Sequence, residues 1–247
     1  MTAVAIIGGS GFTKLKMLEV IRREVVHTPY GEPSAPLTHG LLDGKEVTFL
    51  PRHGSGHIIP PHKVNYRANL WALKHAGIEH VIGVAAVGGI RKDMAPGLIA
   101  VPDQIIDYTY GRQHTLFEDD LQKVTHIDFT NPYSDKLRQA LLNAAKMSGV
   151  NAIDGGTYGA TQGPRLETAM EVTRLQRDGC DLVGMTGMPE ASLAREFEME
   201  YASCSVIANW AAGINDGPIT MEEIEASLVD GLEKVRKLLV SLTKIID

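Results

Sequence analysis

The sequence has little of what marks several common protein classes. Its 247 residues include only two cysteines, Cys180 and Cys204. Both sit in apolar stretches, so they are expected as packing residues in a reducing compartment rather than as a disulfide framework. Basic residues are not in excess: 24 Lys and Arg stand against 30 Asp and Glu, a formal net charge of -6. That balance argues against nucleic acid as the main partner. No apolar run approaches the roughly 20 residues of a membrane-spanning helix. The opening MTAVAIIGGSGF lacks the basic region and long apolar run of a signal peptide. Internal repeats, low-complexity tracts and Ser/Gly-rich linkers are missing too. The expectation is a single domain over residues 1–247, cytoplasmic, with neither nucleic acid nor membrane as partner.

What is present suits an ordinary globular core, with 44% hydrophobic and 22% charged residues. Short apolar or β-branched runs recur at 3–7, 46–50, 80–86, 98–101, 181–185 and 201–208. Several are continuous rather than alternating, as in strands buried on both faces. Helical spacing appears over 62–75 and 134–148, each ending at a glycine, Gly77 and Gly149. Pro189 can open a further helix towards Glu198. A Thr220-Met-Glu-Glu223 capping box can start the last one. Alternating strands and helices predict an α/β fold with a mixed central sheet flanked by helices. Residues 111–131 have little periodicity and read as a long loop, a common place for function.

Five strand ends carry small or polar residues. Gly8-Gly9-Ser10-Gly11 can form an anion nest with a hydroxyl donor. It is neither a dinucleotide fingerprint, because Lys14 stands where the third glycine belongs, nor an NTPase loop, because no GK[ST] follows. Arg52-His53-Gly54-Ser55-Gly56-His57 follows a strand and offers a planar guanidinium fork suited to phosphate oxygens. His53 and His57 have metal-ligand spacing, but two intervening glycines oppose a helix, so an anion site is favoured over zinc. The plain alternative is a pair of surface histidines. Val84-Ala85-Ala86-Val87-Gly88-Gly89 lets a ligand, or an equally close helix, reach the backbone. Gly163–Thr168 is a rigid turn into a helix, and Gly184–Glu190 is a strand end, a hydroxyl and a helix start. Each is weak alone, with Met185 a core methionine by default and Glu167 a solvated acid. Together they matter, because ligands of such sheets gather at strand ends.

AIIGGSGF, LPRHGSGHIIPPHKVNYRANLWALK, GPRLET and GMTGMPEASLAREFEMEYAS, in this order, resemble the trimeric purine nucleoside phosphorylase and methylthioadenosine phosphorylase family. The likeness spans nearly the whole chain. It implies the single-domain nucleoside phosphorylase fold and cleavage of a purine nucleoside by inorganic phosphate, giving free purine and a pentose 1-phosphate. It also implies a homotrimer and no metal or organic cofactor. By the same resemblance Ser10, Arg52, His53, the Ala86 backbone and Thr186 are expected to hold phosphate, and Met185 the ribose. Leu166, Glu167 and Asn209 are expected around the base, with Ala211 nearby. Asn209 and Glu167 are the expected catalytic pair. His126 is expected to reach the sugar's 5′ end from a neighbouring subunit. Ser10 stands where the family more often has Thr, and Ala85 where it has a hydroxyl residue.

Two positions bear on substrate choice. Relatives that cleave 6-aminopurines carry Asp at the positions of Asn209 and Ala211, whereas those that cleave 6-oxopurines carry Asn and a Glu in the GPxxE turn. Asn209 and Glu167 are both of the 6-oxo type. An adenine N1 facing ionised Glu167 would set two acceptors together, at roughly 1–3 kcal/mol for each unpaired group. In the stretch Thr220–Ile224, Met221 replaces the histidine that ordinary purine nucleoside phosphorylases direct at the 5′-hydroxyl. With Ile224 it is expected to suit an apolar 5′ group; its plain alternative is a core residue at a helix start. The combination predicts S-methyl-5′-thioinosine as substrate, within purine salvage. Alternatives are inosine or guanosine phosphorolysis, methylthioadenosine phosphorolysis, an NAD-dependent dehydrogenase and a non-catalytic nucleoside-binding protein.

Overall fold

The computed structural model describes residues 4–9, 18–118 and 123–246. Its strands are β1 (Val4–Gly8), β2 (Glu19–Glu24), β3 (Leu37–Leu42), β4 (Lys45–Pro51), β5 (His80–Gly89) and β6 (Ile99–Val101). They continue as β7 (Gln104–Asp107), β8 (Ala152–Asp154), β9 (Thr157–Ala160), β10 (Leu182–Gly184) and β11 (Glu200–Trp210). The helices are α1 (Tyr66–His75), α2 (Asp135–Met147), α3 (Ala169–Arg177), α4 (Gly187–Glu196) and α5 (Met221–Leu242). All of these strands belong to one mixed sheet.

Apolar pattern explains the layering. β1 is buried at every position, as its unbroken Val-Ala-Ile-Ile run requires of a strand covered on both faces. Neighbouring residues point to opposite faces. Ile7 therefore joins a core with Leu70 and Leu73 of α1 and Leu193 of α4. Ile6 joins another with Leu137 and Leu141 of α2 and Leu238 of α5. Each such fully buried side chain contributes about 1.5–3 kcal/mol. β2 reads Glu-Val-Ile-Arg-Arg-Glu and is largely exposed. As the outermost strand on that side it carries charges that discourage pairing with other chains.

Helix ends follow local chemistry. Ser134 accepts a hydrogen bond from the Leu137 amide at 3.2 Å and caps α2. Gly149 takes up positive φ just beyond it. The capping box expected at Thr220 is half formed. Thr220 Oγ1 accepts from the Glu223 amide but also donates to the Glu223 carboxylate, so that side chain does not return to the backbone. The reciprocal pattern is found instead between Thr168 and Glu171 at the start of α3. The helix expected to open at Pro189 begins at Gly187, with Met188 and Pro189 non-helical inside it. Among the described residues, 108–134 form no helix or strand, as the absence of periodicity predicted.

β5 positions the site. β11 pairs with it in parallel along its length. The opposite edge is shared: β1 pairs in parallel up to Gly83, and β10 pairs antiparallel at Gly88 and Gly89. Among the described residues, 84–87 therefore have no strand on that edge. This is a topological switch point, where α/β sheets open a crevice.

Candidate active site

Ala86 is exposed although it lies in the middle of a central strand, because the space beside it is the crevice. The Val84 carbonyl faces the open edge, where it accepts from Arg52 Nη1 at 3.0 Å. Backbone groups alternate between edges along a strand, so the Ala86 N–H points into the same gap. Small side chains at Ala85 and Ala86 leave that amide accessible.

Arg52 follows β4, its amide bonded to the Gly8 carbonyl at 2.9 Å. Its side chain departs from the expected open fork. Nε and Nη2 grip the two Glu190 carboxylate oxygens at 2.6 and 2.7 Å, and Nη2 also reaches the Ile7 carbonyl at 3.4 Å. Tyr201 donates to the same carboxylate at 2.8 Å. Arg52 is 2% exposed and Glu190 is fully buried. Burial works to lower the guanidinium pKa, but the Glu190 charge and its hydrogen bonds, with smaller help from Tyr201 and Tyr66, together raise it. The planar face that the sequence suggested for phosphate is thus committed to a carboxylate, which leaves one Nη1 N–H unassigned among the described residues. Sequence reading saw Glu190 only as part of a motif.

His53 is buried beside Arg52 and sends Nδ1 to the Ile59 carbonyl at 2.8 Å. A carbonyl only accepts, so Nδ1 carries the proton and Nε2 is left as an acceptor. Burial first, then the Arg52 charge, push the imidazole pKa down to about 4. At neutral pH His53 therefore offers an acceptor, Nε2, rather than a second donor. His57 packs against it, ring centroids 4.7 Å apart. Among the described residues, no three His, Cys, Asp or Glu side chains converge as a metal site.

Thr186 is buried at the N-terminus of α4, where its hydroxyl makes no capping bond and is hydrogen-bonded to the Tyr158 hydroxyl instead. Its turn lies next to β5: a Cβ on Gly184 would come 2.9 Å from the Val87 side chain and 2.0 Å from the Tyr158 hydroxyl. Only glycine allows this approach. Met185 lies against Gly163, where an added Cβ would meet its sulfur at 2.4 Å. The Met185 turn and the GPRLE turn are therefore in contact. Glu167, half-buried, accepts from Thr161 Oγ1 at 2.5 Å, while Leu166 is exposed.

Asn209 sits where β11 breaks register. Ile207 pairs with Val87 and Asn209 with Gly88, so Ala208 is the extra residue of a bulge that re-aims the strand end. The amide donates to the Trp210 carbonyl at 2.7 Å. Asn209 and Ala211 line a cavity of about 300 Å³ completed by Ile219, Glu223 and Ser227. The turn beyond it meets α3, with Gly213 packed on Ala169, two residues after Glu167.

Not every expected residue joins this arrangement. Met221 is 64% exposed, which excludes the core role. It stands on the first turn of α5 about 160° around the helix from Glu223, and neither it nor Ile224 lines the Asn209 cavity. His126 is exposed on the long loop. Ser10 lies outside the described residues. Arg112, which the sequence reading passed over, is buried and bonded to both turns of the site. Nothing in its local sequence distinguishes it from a surface arginine.

The chain matches the family model described as phosphorylase superfamily over residues 3–244. It is 55% identical over 236 residues to a protein of Pseudomonas syringae pv. tomato named probable S-methyl-5′-thioinosine phosphorylase, covering 96% of each chain. It is 47% identical to a probable 6-oxopurine nucleoside phosphorylase of Dictyoglomus turgidum, over 95% of this chain and 88% of that one. Methylthioadenosine phosphorylase from Schistosoma mansoni, solved with adenine, superposes with a TM-score of 0.92 at 32% identity. That alignment covers 100% of this chain and 92% of the solved one. The chain belongs to the phosphorylase superfamily and has the fold and enzyme type of the nucleoside phosphorylases.

Proposed function

We propose that this enzyme, a single domain over residues 1–247, cleaves S-methyl-5′-thioinosine with inorganic phosphate to give hypoxanthine and 5-methylthioribose 1-phosphate. The observation that carries the reading is Asn209, an amide held at a strand bulge on the wall of a cavity. Such a group can donate to a purine O6 and accept from a protonated N7, and Glu167 can accept from N1–H. Relatives named for a 6-oxopurine nucleoside or for methylthioinosine support the same choice.

In this mechanism a phosphate oxygen bonds to C1′ as the C1′–N9 bond breaks, and the bond's electron pair leaves with the purine, which takes up a proton. Phosphate would rest on the Ala86 N–H, the Thr186 hydroxyl and Ser10. Arg52 would contribute its remaining N–H and, with His53, shape the floor. Because Nε2 of His53 is an acceptor, it suits a phosphate that still carries a proton. Met185 would lie under the sugar, with Leu166 and Ala211 flanking the base. Asn209 and Glu167 would stabilise the purine as charge develops on it, the larger part of such catalysis being electrostatic preorganisation.

The apolar 5′ group is assigned to Met221, which lies between the cavity-lining Ile219 and Glu223 in sequence, and to Ile224, which follows them. His126 of an adjacent subunit would close this end in a homotrimer. The enzyme would act in purine salvage in the cytoplasm; no described helix is long and apolar enough to cross a membrane. It would use phosphate as co-substrate and no cofactor. Initial rates on methylthioinosine and inosine, with and without phosphate, test the reading. Hypoxanthine release that requires phosphate and favours the methylthio nucleoside is expected. Equal rates on the two would move the assignment to an ordinary purine nucleoside phosphorylase, and no turnover would leave only a nucleoside-binding protein.

A further inference from the structure

Arg112 is 8% exposed on the long loop. No carboxylate among the described residues lies within ion-pair distance of it. Its donors reach two separate turns of the site. Nη2 reaches the Thr161 and Gln162 carbonyls at 3.2 and 2.8 Å, and Nε the Gln162 amide oxygen at 3.1 Å. Nη1 reaches the Met185 and Met188 carbonyls at 2.9 and 2.6 Å, and the Tyr66 hydroxyl at 3.3 Å. The first turn leads to Glu167, and the second contains Thr186. Its guanidinium carbon also lies 5.6 Å from the centre of the Tyr66 ring. A buried guanidinium held by neutral oxygens and one aromatic face gives up its hydration without a counter-charge. Lysine could not span both turns, because its donors radiate from one point.

We propose that Arg112 is a positioning residue that fixes the base-side turn (161–167) and the sugar- and phosphate-side turn (185–188) in one geometry. Substrate purine and phosphate then meet a preset distance apart. Its kinetic consequence rests on the phosphorylase reading above; its geometric consequence does not. Loss of the strap lets the two turns move independently, so groups on both lose their aim together.

Arg112→Lys tests this by two readouts taken well below its melting temperature. Amide hydrogen exchange in 161–167 and 185–188 should quicken together by about tenfold or more, while α2 stays at the wild-type rate. With methylthioinosine and phosphate, both KM values should rise and kcat should fall about tenfold or more. In an Arg112→Ala enzyme, millimolar guanidinium chloride should restore part of the rate. If Arg112→Lys does not fold, Gln162→Ala, which removes one acceptor and keeps the guanidinium, should show the same changes at smaller size. Faster exchange in one turn alone, or an earlier melt with both KM values and kcat unchanged, would overturn the proposal. A wild-type enzyme without turnover would refute the phosphorylase reading, and the exchange readout would still decide the role of Arg112.

Discussion

At the closed end of the crevice Arg52 and Glu190 have almost no contact with solvent, whereas Met221, on the first turn of α5 outside the Asn209 cavity, is 64% exposed. The closed end is assembled from residues distant in sequence: the turn after β4 supplies Arg52, β5 the Val84 carbonyl, α4 Glu190 and β11 Tyr201. The rim is local chain between the end of β11 and the first turns of α5. Chemistry shared by all substrates, the placing of phosphate against C1′, is assigned to the buried region. Choice among substrates is assigned to Asn209 and the residues that follow it. A buried network resists change because each member leaves another unpaired when it is lost. A short exposed segment can change side chains at little cost to the fold.

The contrast breaks first at the ion pair. Glu190→Ala leaves Arg52 charged and unpartnered in the interior, and loss of one member of a buried pair costs about 3–5 kcal/mol. Denaturant unfolding should show a loss of that order, and Arg52→Ala a similar one. A change under about 1 kcal/mol would mean that the pair is not a fixed part of the closed end.

His53 gives the next effect, through pH. Its folded-state pKa of about 4 lies below the ordinary value of 6.5. The unfolded chain therefore binds the extra proton first, and stability falls as pH drops from about 6.5 towards 4. The full span amounts to up to about 3 kcal/mol. Unfolding free energy measured from pH 7 to pH 4.5 should fall more steeply in wild type than in His53→Gln. Parallel curves would show that His53 does not titrate in this way.

Substitutions near the rim should alter preference more than stability. Asn209→Asp should shift the ratio of kcat/KM for 6-oxopurine over 6-aminopurine nucleosides by about ten- to a hundredfold towards the amino purine. Glu167 limits the gain, so adding Glu167→Ser should move it further. An unchanged ratio in both variants would remove these side chains from base choice. Met221→His should produce the smallest effect, under about tenfold towards inosine with little change in melting temperature, since an exposed side chain holds a ligand weakly. A variant with the wild-type ratio would place the 5′ contact elsewhere.

Sequence legibility followed the same division. β1, β4, β5, β6, β10 and β11 were readable because their apolar runs are continuous. β2, β7 and β8 were not, because they are charged or very short, and their pairing rather than their composition makes them strands. Family-like motifs brought Arg52, His53, Ala86 and Thr186 to attention. What those residues do locally depends on tertiary partners: Glu190 lies 138 positions from Arg52, and Ile59 sets the His53 tautomer. Arg112 gave no signal, since carbonyls of distant turns are its partners. Asn209 stood out as a lone amide at the end of an apolar run, although the bulge that aims it needed the β5 register to be seen.

The central claim is that the wall holding Asn209 and the turn holding Glu167 read a 6-oxopurine. A single-pot competition tests it most directly: equal methylthioinosine and methylthioadenosine, saturating phosphate, and early-time measurement of the two released bases. The account predicts hypoxanthine ahead of adenine by at least about tenfold, the consequence of one mispaired buried group. Adenine released as fast as hypoxanthine, or faster, would contradict it.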